Sequence, residues 1–238
     1  MALNIKNNNF LESIENWLKN FSSITIIILL LFFGLFNVFH LFDNSQALQL
    51  REVIKLMFLF VIFMFVLCFT LCPDDLKEFF QKNKNLKGYY ALASLLGGLT
   101  FFLWFFSGFE GSLNTDVVYG VLTSKFFLFT YYSVVAFCET LIFDVLLYIL
   151  IRHFAGANKT RVHIPSMVLT SLIFASYHFI VYSGNIANLI FAFVINCAWI
   201  WLVWQKDYQY LSGFMLAFTS HLAYNIAKVG AIATILLT

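Results

Sequence analysis

Residues 126–151 read FFLFTYYSVVAFCETLIFDVLLYILI, and this run decides the class of fold. A helix needs about 20 mostly apolar residues to cross a bilayer, and the run is longer than that. Its charged residues are two carboxylates, Glu139 and Asp144. Ionisable groups at membrane depth are costly and usually mark a functional site. The run therefore predicts a membrane-spanning helix that carries part of a polar site.

The composition of the whole chain is typical of a membrane protein. Of its 238 residues, 61% are hydrophobic and 11% are charged, whereas soluble domains carry about 25% charged residues. Seven runs are long enough to span a bilayer, so we predict an all-α, polytopic membrane bundle of about seven transmembrane helices. The runs are residues 22–42, 53–73, 88–108, 126–151, 164–183, 185–204 and 209–236.

Basic residues indicate how these spans are oriented. Ten Lys and Arg residues fall on the N-terminal side of the predicted membrane and three on the other side. Positive loops remain in the cytoplasm, so we predict a cytoplasmic N-terminus. Residues 1–20 have helical apolar spacing and are predicted to form an amphipathic interfacial segment. Residues 21–125 hold the first three spans, and residues 126–238 form the core.

Composition also restricts the partners and the environment. The net charge of +2 gives no indication of a nucleic-acid partner. The four cysteines lie in apolar runs without zinc-finger spacing, which favours packing roles over a disulfide framework. Abundant Phe, Ile, Leu, Asn and Lys are typical of an AT-rich genome. We therefore expect a multi-pass protein of a bacterial plasma membrane, with the lipid bilayer and a peptide or membrane-protein substrate as its partners.

Three ionisable residues lie deep inside separate predicted spans, namely Glu139, His178 and His221. Each is 13–15 residues from a loop on the same side of the membrane, at Arg152, His163 and Asp207 respectively. At 1.5 Å per helical residue, all three lie about 20 Å into the bilayer. We therefore expect three helices to converge on one buried polar layer.

The neighbours of these residues at helical spacing are also informative. Thr140 and Asp144 are four residues apart, so on an α-helix the hydroxyl would donate to the carboxylate. Phe174 precedes His178 by four residues and is expected to pack beneath the imidazole. These three residues, Thr140, Asp144 and Phe174, are therefore predicted to support the site.

Water activation is the chemistry that suits this set of side chains. Glu139 would be the general base and His178 would orient the water. His221 and Asn225, one turn apart on one face, would stabilise a developing oxyanion. We expect no cofactor, although zinc remains an alternative with Glu139, His178 and His221 as its ligands. The chain has no His-Glu-x-x-His motif, so the zinc alternative has no compact signature.

Three motifs in this order resemble those of the CPBP family, the CAAX proteases and bacteriocin-processing enzymes, which includes the type II CAAX endopeptidases. The family motifs Glu-Glu-x-x-x-Arg, Phe-x-x-x-His and His-x-x-x-Asn are similar to residues 139–144, 174–178 and 221–225. The resemblance implies an intramembrane endopeptidase, in bacteria linked with bacteriocin self-immunity or peptide-signal maturation. The catalytic residues that it implies are Glu139, His178, His221 and Asn225.

The first motif departs from the family pattern, because Thr140 replaces the second Glu and Asp144 replaces the Arg. A neutral Thr–Asp pair would then stand where the family has an ion pair. This change leaves open a catalytically impaired member that binds a membrane peptide or regulates a partner. A small transporter or proton relay is a third possibility, against which the lack of an inverted repeat counts.

Overall fold

A computed structural model describes residues 46–81, 87–106, 125–155, 162–179, 182, 184–205 and 210–237. The predicted interfacial segment 1–20 and the first predicted span, 22–42, lie outside these residues. Within the described part of the chain, all regular secondary structure is helical. This confirms the all-α class of fold.

The described helices follow most of the predicted apolar runs. They are α1 (Gln46–Leu71), α2 (Pro73–Gln81), α3 (Lys87–Phe106), α4 (Lys125–Glu139), a π-helical segment (Thr140–Leu147), α5 (Tyr148–Ala155), α6 (His163–Tyr177), α7 (Ile186–Trp204) and α8 (Leu211–Leu237).

Two of the described helices are long and apolar enough to cross a membrane. One is the continuous helix Phe129–Ala155, which contains the π segment, and the other is Ile186–Trp204. A third crossing is counted if α1 and α2 form one span, although the chain bends by 110° between them. Pro73 begins α2 at this bend, where its missing N–H costs no helical hydrogen bond.

Helix α6 ends earlier than the sequence predicts, at Tyr177 instead of residue 183. His178 follows the helix, and its ring Nδ1 bonds the carbonyl of Phe174, 2.9 Å away. A side chain that caps the last carbonyls in this way favours the end of a helix. The connection to α7 is therefore longer than predicted, and it ends with Gly184 at φ 72° and Asn185 as the N-cap.

The helix formed by α4, the π segment and α5 lies at the centre of the bundle. The π segment contacts α1, α6, α7 and α8, and the side chains of residues 145–150 are fully buried. Helix α3 packs mainly against α8. Apolar side chains of α1, such as Leu59, Ile62 and Phe69, are instead exposed on the outside. Such a face is suited to lipid.

The π segment is held by contacts from other helices. The indole Nε1 of Trp204 donates to the carbonyl of Asp144 at 2.8 Å, and Cys68 Sγ donates to that of Leu146 at 3.3 Å. A π-helix bonds residues five apart, so its carbonyls deviate from the usual α-helical pattern. Tertiary packing therefore helps to stabilise this unusual segment.

A buried ion pair joins α2 to α5 at one end of the bundle. Arg152 Nη2 lies 3.1 Å from Asp75 Oδ1, and His153 Nδ1 lies 3.2 Å from Asp75 Oδ2. The Arg152 guanidinium also lies over the ring of Trp204 at 4.6 Å. Three helices thus meet around Arg152, a residue that the sequence indicated only as a helix end.

Candidate active site

Glu139 is the last residue of α4, directly before the π segment, and only 6% of its surface is exposed. Its two carboxylate oxygens face two different histidines. Oε2 lies 3.4 Å from Nε2 of His221, and Oε1 lies 3.9 Å from Nε2 of His178. The predicted convergence of these three residues is therefore present in the fold.

His178 reaches Glu139 from the turn after α6, not from within a long helix as predicted. Its ring is enclosed by aromatic side chains. Phe174 packs against it at 4.4 Å between centroids, as the four-residue spacing predicts. Tyr182 stacks on it at 5.4 Å, and Tyr177 contacts it edge-on at 5.0 Å. These contacts and the Nδ1 bond to the Phe174 carbonyl leave Nε2 directed toward Glu139.

His221 lies in the middle of α8 and is buried against α7 and the π segment. Its Nδ1 lies 3.2 Å from Oγ1 of Thr140. The indole ring of Trp199 stacks nearly parallel to the imidazole, with centroids 4.0 Å apart and an interplanar angle of 20°. Trp199 Nε1 also donates to Oγ of Ser220, at 3.3 Å. The edge of the imidazole thus contacts Thr140 of the π segment, and its plane contacts Trp199 of α7.

The predicted hydrogen bond between Thr140 and Asp144 is wrong. Thr140 instead contacts His221, and Asp144 Oδ1 accepts a hydrogen bond from Nδ2 of Asn196 at 2.6 Å. The reason is tertiary, because each of the two side chains bonds a residue of another helix, His221 on α8 and Asn196 on α7. Asp144 therefore supports the packing of α7 against the central helix, whereas Thr140 belongs to the site itself.

Asn225 lies one turn after His221 on α8 and is buried, as expected for two residues on one face. Lys228 follows on the same stripe of the helix. Its Nζ lies 5.9 Å from the ring centre of Tyr182. The polar layer thus contains a lysine in addition to the predicted residues.

Sequence reasoning missed four residues around the site, namely Tyr182, Asn196, Trp199 and Lys228. Asn196 carried a usable signal, because a polar side chain in an apolar span usually bonds another helix. Lys228 carried a similar one, as a charged residue inside the last run. Tyr182 and Trp199 carried no such signal in the sequence, because one aromatic residue among so many in the chain is not distinctive.

The arrangement suits proton transfer and hydrogen bonding to a small polar molecule. A buried carboxylate is a proton acceptor, and the two imidazoles offer ring nitrogens beside it. The three alternative zinc ligands are Glu139, His178 and His221. Among the residues that the structure describes, no group of three or more His, Cys, Asp or Glu side chains is arranged to hold a metal ion.

No family model matches the chain, and no curated protein or solved structure matches it.

Proposed function

We propose that this protein is an intramembrane endopeptidase that hydrolyses a peptide bond with water activated by Glu139. The observation that supports it most is the position of the Glu139 carboxylate between the Nε2 atoms of His178 and His221, at 3.9 and 3.4 Å. A carboxylate that is only 6% exposed, with an imidazole at each oxygen, is well placed for general-base chemistry.

In the first step, Glu139 removes a proton from water while the water oxygen attacks the carbonyl carbon of the substrate. The 3.9 Å between Glu139 Oε1 and His178 Nε2 is longer than a hydrogen bond. A water beside this gap can donate one hydrogen to each of the two atoms. His178 would thus orient the water, so that a lone pair of the water oxygen would face the carbonyl carbon.

In the second step, the tetrahedral intermediate collapses and the C–N bond breaks. His221 and Asn225 donate hydrogen bonds to the oxyanion, a stabilisation that is strong in a site shielded from water. Glu139, now protonated, transfers its proton to the leaving amine. The products are a carboxylic acid and an amine, and the carboxylate of Glu139 is regenerated.

The proposed substrate is a peptide or protein associated with the membrane. Glu139 lies within Phe129–Ala155, one of the two described helices that are long and apolar enough to span a bilayer, and a soluble substrate would not reach such a depth. The three motifs that resemble the CPBP family favour the same reaction. Processing of a peptide signal or self-immunity against a bacteriocin, in a bacterial plasma membrane, is the context that we propose.

The proposed topology is seven crossings with a cytoplasmic N-terminus. Its basis is the ten-to-three distribution of Lys and Arg between the two sides. Alkaline phosphatase and green fluorescent protein fusions after each predicted span would test it. Phosphatase activity and fluorescence should alternate along the chain, and the same reporter being active in two successive loops would contradict the count.

The test of the reaction is hydrolysis by the Glu139→Gln protein. The amide keeps the size of the side chain but cannot accept the proton, so we expect kcat to fall by roughly 10²- to 10⁴-fold. The assay would use proteoliposomes and a fluorogenic library of N-terminally palmitoylated peptides. His178→Ala should lose activity as well. Glu78→Gln, the same chemical change on α2, is the matched control and should retain wild-type rates.

The remaining outcomes separate the alternatives. Retained hydrolysis by Glu139→Gln would refute the general-base role. Loss of wild-type hydrolysis on addition of a chelator, with recovery on addition of zinc, would favour the metal alternative. If the wild type cleaves nothing but binds the same peptides, and Glu139→Gln binds equally, the protein is a peptide-binding or regulatory protein.

A further inference from the structure

The hydrogen-bond partner of His178 determines which of its ring nitrogens carries the proton. Nδ1 lies 2.9 Å from the carbonyl oxygen of Phe174. A backbone carbonyl can only accept a hydrogen bond, so Nδ1 must be the donor. In the neutral ring, Nε2 then has a free lone pair, and this is the atom that faces Glu139 Oε1.

The partners of His221 favour the opposite tautomer. Its Nε2 lies 3.4 Å from Glu139 Oε2. The general base must be ionised, and an ionised carboxylate can only accept a hydrogen bond, so the proton belongs on Nε2. Its Nδ1 is then the acceptor, and it lies 3.2 Å from the Thr140 hydroxyl, which can donate. The two contacts of the ring are consistent with one tautomer.

The Thr140 hydroxyl differs from six other hydroxyls in the described helices. Six helical Ser and Thr side chains donate to the carbonyl four residues earlier, namely Thr70, Ser94, Ser133, Thr170, Ser176 and Thr219. Thr140, the first residue of the π segment, is directed at His221 instead. Its proton is therefore available to the imidazole.

Trp199 restricts the plane of the His221 ring. The nearly parallel stack at 4.0 Å leaves the imidazole little room to rotate, because Trp199 is itself only 2% exposed. The indole N–H is held by Ser220, the residue directly before His221. Trp199 is thus anchored to the same turn of α8 that it supports.

We infer that the two histidines are held in opposite neutral tautomers, and that Thr140 and Trp199 are positioning residues that keep the proton of His221 on Nε2. Neither residue contacts the reacting atoms. Both act through His221, Thr140 on its edge and Trp199 on its face.

The chemical consequence rests on the proposed function. A water between Glu139 and His178 needs two acceptors, and the free Nε2 of His178 is the second. The oxyanion needs hydrogen-bond donors. His221 can donate on the side that faces Glu139 only if its Nε2 carries the proton. Exchange of the two tautomers would leave the water misoriented and the oxyanion without this donor.

The first experiment is nitrogen-15 NMR of the full chain in lipid nanodiscs, with ring-labelled histidine. Protonated and unprotonated ring nitrogens resonate in separate regions, and replacement of His40, His153 and His163 by Gln leaves the two rings of interest. We expect His178 protonated on Nδ1 and His221 protonated on Nε2. The same tautomer in both rings, or a doubly protonated ring at neutral pH, would overturn the inference without any substrate.

The second experiment compares Thr140→Val with Thr140→Ser. Valine keeps the branched shape but removes the donor, so a substantial fraction of His221 should change to the Nδ1 tautomer. With the palmitoylated peptide library, kcat should fall by roughly 100-fold while KM stays within about 3-fold. Thr140→Ser should restore both the tautomer and kcat. An unchanged tautomer in Thr140→Val would overturn the role of Thr140.

Trp199 is tested by Trp199→Leu and Trp199→Phe. We expect the leucine variant to broaden the ring resonances of His221 and the phenylalanine variant to preserve them, because an aromatic plane keeps the stack. Sharp, unshifted resonances in Trp199→Leu would overturn the role of Trp199. If the wild type hydrolyses no peptide, the proposed function fails, and the NMR results still decide the tautomers.

Discussion

At the scale of single residues, Asp144 is a carboxyl group in a costly position. It is fully buried, and of its two oxygens only Oδ1 accepts a hydrogen bond, from Asn196. Within the described residues, Asp144 Oδ2 and Asn196 Oδ1 have no hydrogen-bond partner. Removal of one member of such a polar pair destabilises the fold more than replacement of both members by apolar residues.

We therefore predict that Asn196→Leu lowers the free energy of unfolding by about 1–3 kcal/mol, because Asp144 loses its donor. The double variant Asp144→Leu/Asn196→Leu should recover most of this loss, since two apolar side chains of similar size replace the pair. Thermal unfolding in one detergent would measure both. A double variant as unstable as the sum of the two single variants would contradict the prediction.

At the scale of helices, the contact between α3 and α8 depends on a missing side chain. A Cβ atom at Gly97 would lie 2.1 Å from the carbonyl oxygen of Ser220, the residue before His221. A Cβ atom at the next residue, Gly98, would have no neighbouring atom within 4 Å. Two adjacent glycines thus differ completely in what a methyl group would meet.

Gly97→Ala is expected to push α3 away from α8 and to destabilise the protein by about 1–3 kcal/mol, as overpacking does. Because Ser220 adjoins His221, peptide hydrolysis should fall as well. Gly98→Ala is the matched control, and its better helix propensity should make it neutral or slightly stabilising. Equal unfolding midpoints for the two variants would show that the close approach at Gly97 is unimportant.

At the scale of the whole molecule, α2 closes one end of the bundle after the 110° bend. Asp75 is buried against Arg152 and His153, whereas Asp74 in the same turn is exposed. Removal of one member of a buried ion pair leaves the other charge uncompensated, at a cost of about 3–5 kcal/mol. The attachment of α2 should therefore depend on Asp75 and not on Asp74.

We predict that Asp75→Asn releases α2, so that trypsin cleaves after the exposed Lys77 several times faster than in the wild type. Asp74→Asn should leave the cleavage rate unchanged. Mass spectrometry of the fragments from proteoliposomes would measure both rates. Equal cleavage of the two variants would mean that the ion pair does not hold α2 in place.

Hydropathy and spacing in the sequence determined the helical class, the bounds of α7 and α8 within about two residues, and the candidates Glu139, His178, His221 and Asn225. Each of these depends on local properties, since a span must be apolar over its length and a charged group within it is conspicuous. The packing of Phe174 under His178 was predictable for the same reason, because the two residues are four apart in sequence at the end of α6.

Only the tertiary structure decided the partners of Thr140, Asp144 and Trp199. The π segment depends in part on hydrogen bonds from Trp204 and Cys68, which are distant in sequence. Thr140 and Asp144 bond residues of two other helices instead of each other. The early end of α6 depends on a ring nitrogen of His178 that competes for a backbone carbonyl. Predictions from spacing assume a regular helix, and this site lies at two places where the helix is not regular, the π segment and the end of α6.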